Sequence, residues 1–273
     1  MTPSRPPLLA CALAALALSL GASAAGEKKP KKDTSIPANE KHPVDPDLPK
    51  PQGTLVELAL PAGKSMAYVA RPKGPPKGGV LVLHEWWGLN DGIKHQSDLL
   101  AAEGYLALAV DLYKGKVAKT PDEAGGLMKA LDEKWGDAVE EAGLQWLKKE
   151  AAGKKLATLG YCMGGGQSLN ASLNAAKDVA ATVIYYGMPV MDVPALKKLK
   201  GPVLGIWANK DGWITPAKVA EFAKALQEAG VRYEGHAYDA DHAFANPTGG
   251  RHNPAAAKDA WGKTLAFLEK ELK

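Results

Sequence analysis

The sequence feature that most constrains the fold is a short apolar run followed at once by a glycine-rich turn. Residues 154–167 read KKLATLGYCMGGGQ, and the segment 167–176 that follows is compatible with a helix. Gly160 and Gly164 stand two residues before and two residues after Cys162, so a tight turn can form there without Cβ clashes. A strand, a turn and a helix in this order present the cysteine at the apex, above the sheet edge.

A cysteine at such an apex has the surroundings of a nucleophile. It lies at the positive end of the helix dipole, beside backbone N–H groups that favour a thiolate and can hold an oxyanion. Three alternatives compete with this interpretation: a buried structural cysteine, a glycine-rich turn of an α/β fold with no catalytic role, and a phosphate-binding loop. The phosphate loop is disfavoured because Gly166 and Gln167 stand where Lys and Ser or Thr are needed.

The first 52 residues differ in composition from the rest of the chain. Arg5, the apolar run 8–20 and the sequence Ala22-Ser23-Ala24 have the order of a secretory signal peptide. We therefore predict that residues 1–24 are removed and that the protein is exported, to a periplasm or beyond the cell. Residues 25–52 are rich in lysine and proline and poor in apolar side chains, which predicts a flexible linker.

The chain has two cysteines, Cys11 and Cys162. Cys11 falls inside the predicted signal peptide, and a lipid anchor on it is disfavoured because most of the apolar run comes after it. The mature protein would keep Cys162 alone, which excludes a disulfide within one chain. The formal charge of +4 is small for 273 residues and indicates no nucleic-acid partner. We expect a monomer with a small-molecule substrate and no membrane span.

From residue 54 onward, strand-like and helix-like segments alternate, which predicts an α/β domain over residues 53–273. The sheet should be mostly parallel, with helices on both faces and an antiparallel pair of strands at one edge. Functional residues should then lie in loops at the carboxyl ends of the strands. The predicted strands are 54–60, 66–71, 79–83, 105–110, 156–159, 182–186, 202–208 and 232–238, and the predicted helices are 92–103, 121–150 as one or two, 167–176, 216–229 and 254–272.

Two such loops supply candidate partners for Cys162. Asp211 follows the predicted strand 202–208, and His242 follows the last predicted strand. Nucleophile, acid and histidine thus occur in the chain order of α/β-hydrolases. His242 would take the thiol proton, and Asp211 would fix the imidazole tautomer. An aspartate before glycine is often only a turn residue, and His236 competes as base but falls inside the predicted strand.

Residues 84–90, HEWWGLN, follow another apolar strand and form a second candidate cluster. The pair His-Glu suggests zinc, but Gly88 stands where a second histidine is required and no Cys-x-x-Cys occurs, so no metal is predicted. In hydrolase folds this loop supplies an oxyanion N–H, here that of Trp86 or a neighbouring residue. Trp86 and Trp87 either line a pocket for an apolar or ring-shaped substrate or anchor the loop on the core.

Taken together, these motifs resemble the dienelactone hydrolase family. The segments that carry the resemblance are GYCMGGG at 160–166, HEWWGLN at 84–90, DLY at 111–113, YYG at 185–187 and DHAF at 241–244. The resemblance covers the chain from about residue 54 to its C-terminus. It implies an α/β-hydrolase domain that opens cyclic enol esters or related esters through a Cys-His-Asp triad, with no metal or organic cofactor.

The resemblance also assigns roles by position. Cys162, Asp211 and His242 match the family's triad. Glu85 matches a glutamate that contacts the thiol, and the backbone N–H groups of Met163 and Trp86 match the oxyanion hole. The residues expected to line the substrate pocket are Trp87, Tyr185, Trp213 and Phe244.

The sequence departs from the family where the substrate carboxylate is bound. Archetypal members hold that carboxylate with two arginines, but residues 114–153 contain no arginine, and Asn246 occupies the second position. Arg251 is the nearest arginine. Without bidentate hydrogen bonds from arginine to the carboxylate, a site loses much of its preference for an anionic lactone over other substrates. We therefore predict an ester, lactone or thioester hydrolase, and keep two alternatives: a thioesterase or general carboxylesterase, and a catalytically weak envelope binding protein with the same fold.

Overall fold

A computed structural model describes residues 48–273 of the chain, so the predicted signal peptide and most of the predicted linker lie outside the described residues. The strands are β1 (Thr54–Leu60), β2 (Gly63–Ala70), β3 (Gly79–Leu83), β4 (Leu106–Val110), β5 (Leu156–Tyr161), β6 (Val179–Tyr185), β7 (Val203–Ala208) and β8 (Tyr233–Tyr238). The helices are α1 (Asp91–Ala102), α2 (Pro121–Ala130), α3 (Glu133–Glu150), α4 (Met163–Asn174), α5 (Val193–Leu196), α6 (Pro216–Ala229) and α7 (Pro254–Leu272).

The strands form one sheet in the order β1-β2-β4-β3-β5-β6-β7-β8. β1 pairs with β2 and β2 pairs with β4 in antiparallel fashion, and every later pair is parallel. The prediction of a mostly parallel sheet with an antiparallel edge is confirmed. Because all strands from β3 to β8 point the same way, the loops that follow β3, β5, β7 and β8 meet at one edge of the sheet.

The central strands are buried on both faces. All five residues of β3 are buried, and their side chains alternate between two apolar clusters, Val80 and Val82 in one and Leu81 and Leu83 in the other. α1 and α7 cover the first cluster, and α3 covers the second. The continuous apolar runs seen in the sequence are therefore the signature of a sheet with helices on both faces.

The helix after Cys162 begins four residues before the predicted start. α4 starts at Met163, and the glycines at 164–166 are all helical. Glycine disfavours helix in isolation, which is why the sequence predicted a start at 167. Close packing overrides that preference here, because a Cβ on Gly164 would overlap the backbone carbonyl of Leu83 in β3.

Two further observations concern helices, of which the first agrees with the sequence and the second does not. The segment predicted as one or two helices at 121–150 is two, and the side chain of Asp132 caps the second by accepting a hydrogen bond from the Trp135 N–H at 2.9 Å. The short helix α5 was not predicted. Within the residues that the structure describes, no helix has the length and apolar character needed to cross a membrane.

Candidate active site

The turn between β5 and α4 holds Cys162 in a conformation that side chains rarely adopt. Its φ is 55° and its ψ is −120°, and it is the N-cap of α4. The turn needs glycine on the strand side, because a Cβ on Gly160 would overlap the backbone carbonyl of Gly164. Left-handed backbone at a non-glycine residue is costly and concentrates at functional sites. The predicted elbow is therefore present, with a half-buried cysteine at its apex.

His242 reaches this cysteine from the loop after β8, and Asp211 reaches His242 from the loop after β7. The Nε2 atom of His242 lies 3.1 Å from the Cys162 Sγ, and its Nδ1 atom lies 2.6 Å from Oδ2 of Asp211. The other carboxylate oxygen of Asp211 accepts the backbone N–H groups of Trp213 and Ile214 at 2.8 and 3.0 Å. The three side chains named from the sequence thus form one continuous hydrogen-bonded row.

Interactions within this row lower the pKa of Asp211 and raise the pKa of His242. Burial by itself raises the pKa of Asp211, but the hydrogen bond and charge of His242, with two backbone amides, hold it below its usual value. Burial lowers the pKa of His242, but the charge of Cys162 and the hydrogen bonds to Asp211 and Cys162 outweigh this and raise it to about 10. The protonated form of His242 is therefore stabilised by the two groups on either side of it.

Two aromatic rings hold the imidazole in place. The ring of Tyr186 lies 5.1 Å from that of His242, and the ring of Trp213 lies 5.3 Å from it, edge to face. Two neighbours of His242 also have left-handed backbone: Tyr186, which contacts its ring, has a φ of 39°, and Ala243, the next residue in the chain, has a φ of 64°. Trp213 is half-buried at the site, where the sequence placed it as a pocket residue.

The loop after β3 is fixed beside the elbow by a buried histidine. The Leu112 N–H donates to Nε2 of His84 at 3.2 Å, so Nδ1 carries the proton and donates to the Glu85 carbonyl at 2.6 Å. Both ring nitrogens of His84 are thereby used to anchor the loop. Among residues 48–273, no group of three or more His, Cys, Asp or Glu side chains is arranged to hold a metal ion.

Strand register brings the two predicted oxyanion residues to the same height. Leu83 of β3 is opposite Gly160 of β5, so the loop with Trp86 and the start of α4 at Met163 leave adjacent strands at the same level. The Tyr113 hydroxyl donates to the Met163 sulfur at 3.1 Å. The side chain of Met163 therefore packs against the second apolar cluster.

Glu85 is buried at 4% exposure, and Asn246 donates to its Oε2 atom at 2.6 Å. The oxygen of Asn246 accepts both the N–H and the hydroxyl of Thr248, at 2.9 and 2.8 Å. These two bonds fix the orientation of the amide, so that its NH₂ group points at the carboxylate. The predicted contact of Glu85 with the thiol stays a prediction.

The other three predicted pocket residues lie deeper than expected. Trp87 is buried against Ala118 and packs edge to face on Trp86, which favours the anchoring alternative for Trp87. Tyr185 and Phe244 are 1% and 0% exposed, and the Tyr185 hydroxyl shares a hydrogen bond of 2.7 Å with Thr264. These two rings therefore belong to the buried layer beneath the triad, and they do not form an exposed wall of the substrate pocket.

Sequence reasoning missed two residues of the site. Asn246 was noted only as a missing arginine, whereas it is the partner of Glu85. Tyr186, and not its neighbour, carries the ring that contacts His242. A signal for Asn246 was present, since it lies four residues after His242 in the same loop.

Comparison with known proteins gives a consistent result. The model of the dienelactone hydrolase family matches residues 66–272. Protein usf of Aquifex pyrophilus is 35% identical over 231 residues, which cover 81% of this chain and 99% of that protein. A protein of Aquifex aeolicus named as a carboxymethylenebutenolidase is 34% identical over 233 residues, which cover 81% of this chain and all of that protein (100%).

A solved structure agrees with the sequence relatives. A protein from Klebsiella pneumoniae described as a dienelactone hydrolase superposes with a TM-score of 0.70 at 28% identity. The match covers 79% of this chain and 98% of that one.

Proposed function

Because the chain belongs to the dienelactone hydrolase family, we propose that it hydrolyses carboxylic ester or lactone bonds through an acyl-cysteine intermediate. The family and the names of the relatives support the hydrolysis of an ester or lactone. The covalent mechanism is our inference from the site, and the observation that carries it is the row Asp211, His242, Cys162 with contacts of 2.6 and 3.1 Å.

The first half of the reaction forms the acyl-enzyme. The Cys162 sulfur, its proton held on His242, attacks the carbonyl carbon of the substrate, and the carbonyl π electrons move to oxygen. The N–H groups of Met163 and Trp86 stabilise this oxyanion. When the tetrahedral intermediate collapses, the bond to the leaving oxygen breaks and His242 donates its proton to that oxygen. The product is an alcohol or enol and a thioester on Cys162.

The second half returns the enzyme to its starting state. A water molecule attacks the thioester carbon while His242 takes one of its protons. The same two N–H groups hold the second oxyanion, and its collapse expels the sulfur of Cys162 as a thiolate. A carboxylic acid leaves, and the imidazolium and thiolate are paired again. Asp211 keeps the Nδ1 proton in place throughout, which leaves Nε2 to face the reacting atoms.

We propose a substrate that carries no carboxylate near the scissile bond. Residues 114–153 supply no arginine that could bind a substrate carboxylate. The amide of Asn246, at the position of a family arginine, is already occupied by Glu85. A neutral ester should therefore have a kcat/KM at least tenfold above that of a matched ester with a carboxylate beside the carbonyl, a difference of about 1.4 kcal/mol.

The experiment that tests the function uses the chain from residue 25 onward and a panel of p-nitrophenyl esters, acyl thioesters and lactones. We expect turnover of at least one class, with activity lost in Cys162→Ala and in His242→Ala. His236→Ala is the matched control, because that histidine pairs with Glu234 on β8 and contacts none of the row. Absence of turnover on every class, or equal loss in the control, contradicts the proposal.

We also propose that the protein is exported and processed after Ala24. The support is the sequence pattern of residues 1–24. Mass spectrometry of the N-terminus of protein from the native cell should find Ala25 first. An intact N-terminus with the protein retained inside the cell contradicts this proposal and leaves the hydrolase proposal unaffected.

A further inference from the structure

A small cavity lies beside the site, between α1 and the loop that follows His242. Its polar lining residues include Glu85, Gln96, Tyr161, Tyr186 and Asn246. Neither Cys162 nor His242 lines it, so it is distinct from the space above the thiol. The volume in which the centre of a water molecule can lie inside the cavity is about 10 Å³. That is room for about one water and too little for an organic ligand.

One wall of this cavity carries a hydroxyl group without a protein partner. Tyr186 is 1% exposed, and no hydrogen-bond partner of its hydroxyl is found among residues 48–273. Buried hydroxyl groups are almost always bonded to protein or to an ordered water, since an unpaired one destabilises the fold. A space of this size beside such a group, with the polar side chains of Glu85 and Asn246 among its lining residues, is where an ordered water is expected.

The groups around the cavity have complementary roles. Burial, and after it the charge of Glu85, raise the pKa of Tyr186 well above its usual value, so the hydroxyl keeps its proton and can donate it. Glu85 accepts from Asn246 at 2.6 Å through one carboxylate oxygen, and a carboxylate oxygen can accept more than one hydrogen bond. The Tyr161 hydroxyl already donates to Gln96 at 3.2 Å. A water that accepts from Tyr186 can therefore donate to Glu85.

Tyr186 also contacts the catalytic row directly. Its ring lies 5.1 Å from the ring of His242, and its φ of 39° is a left-handed value that tyrosine rarely adopts. Strain of this kind persists only where the surrounding structure imposes it, and it is typical of functional sites. The strained backbone brings the ring to the imidazole while the same side chain lines the cavity beside Glu85.

We propose that the cavity holds one ordered water that bridges the Tyr186 hydroxyl to the Glu85 carboxylate, and that Tyr186 is a positioning residue for Glu85 and His242. The ring fixes the imidazole, and the hydroxyl, acting through the water, fixes the carboxylate. The water site stands on geometry alone, and only its catalytic effect rests on the proposed function.

The first test is a high-resolution crystal structure of the wild-type protein and of Tyr186→Phe. We expect one water within hydrogen-bonding distance, roughly 2.6–3.2 Å, of both the Tyr186 oxygen and a Glu85 oxygen. Tyr186→Phe should lose that water while the loop keeps its conformation. A wild-type map with no density at this position overturns the proposal, whether or not the enzyme is active.

The second test separates positioning from packing. We expect Tyr186→Phe to lower kcat about tenfold on the best ester with KM unchanged, and to lower the urea midpoint of unfolding. Tyr233→Phe is the matched control, because it loses a partly buried hydrogen bond of 2.7 Å from Trp207 on the far side of the sheet. The control should lose stability and keep kcat.

Two results of the second test overturn the proposal. A kcat for Tyr186→Phe equal to the wild-type value shows that the hydroxyl positions nothing. A urea midpoint above the wild-type value shows that the hydroxyl was unpaired, because removal of an unsatisfied buried group stabilises a fold. Either result leaves the hydrolase proposal intact, since wild-type turnover is measured in the same assay.

Discussion

Replacing Asp211 with Asn tests the role of the acid with almost no change in shape. The asparagine oxygen can still accept the two backbone N–H groups that the Oδ1 atom of Asp211 accepts at 2.8 and 3.0 Å. Its NH₂ group then stands where Oδ2 lay, 2.6 Å from Nδ1 of His242, and presents a hydrogen to that nitrogen. Nδ1 must accept instead of donate, so the proton moves to Nε2 and faces the sulfur.

The expected loss is large because two effects add. The imidazole is held in the wrong tautomer, and the carboxylate charge that helps raise the pKa of His242 to about 10 is gone. In the serine-protease triad the same exchange lowers kcat about 10⁴-fold. A cysteine needs less help from its base than a serine does. We therefore expect kcat for the best ester to fall by about 10²–10⁴-fold, or about 3–5 kcal/mol in the barrier.

The assay measures kcat and KM on that ester, together with the rate of Cys162 alkylation at pH 6. Alkylation should slow in Asp211→Asn, because a less stable imidazolium leaves fewer thiolates. Asp239→Asn is the control, since it removes only an exposed ion pair with Lys210, worth about 1 kcal/mol or less. A kcat for Asp211→Asn within tenfold of wild type, in a folded protein, refutes the reasoning.

Three further predictions concern the elbow, the glutamate and a buried acid. Gly160→Ala should destabilise the fold by about 3 kcal/mol or more, because its Cβ overlaps the Gly164 carbonyl; an unchanged melting temperature contradicts this. Asn246→Ala should cost about 1.5–3 kcal/mol in urea unfolding, since it leaves the buried Glu85 short of a hydrogen bond, and a cost near zero contradicts this. Burial and the charge of Asp137 raise the pKa of Glu140 well above its usual value of 4.5. At a pH between 4.5 and the pKa of the folded state, the carboxyl is ionised in the unfolded state and protonated in the folded state, so the free energy of unfolding falls as the pH rises. Glu140→Gln should therefore raise the free energy of unfolding at pH 8, by about 1.4 kcal/mol per unit of pKa shift, and have little effect at pH 4. A lower stability at pH 8 contradicts this prediction.

The sequence predicts the sheet because its central strands are apolar without interruption. It also predicts the bounds of α6 and α7, since Thr215-Pro216 and Asn253-Pro254 place a capping side chain just before a proline at the first helical position. The start of α4 could not be predicted from local preference. Its first turn is mostly glycine, and packing against the carbonyls of Leu83 and His84 decides its conformation.

The site likewise contains residues that the sequence predicts and residues that it does not. The order of Cys162, Asp211 and His242 along the chain follows from the position of each at a strand end. The pair Glu85 and Asn246 does not, because the two residues are 161 positions apart and meet only through the fold. Nor does strand alternation choose Tyr186 over the preceding tyrosine, since its left-handed backbone lies beyond the end of β6.

The most direct test of the central claim is to trap the acyl-enzyme. The wild-type protein is mixed with a p-nitrophenyl ester, quenched in acid within the first turnovers, digested and analysed by mass spectrometry. We predict the mass of the acyl group on the peptide that contains Cys162, and no such adduct with Cys162→Ala. Full turnover in Cys162→Ala, or an acyl group that maps to another residue, contradicts the mechanism.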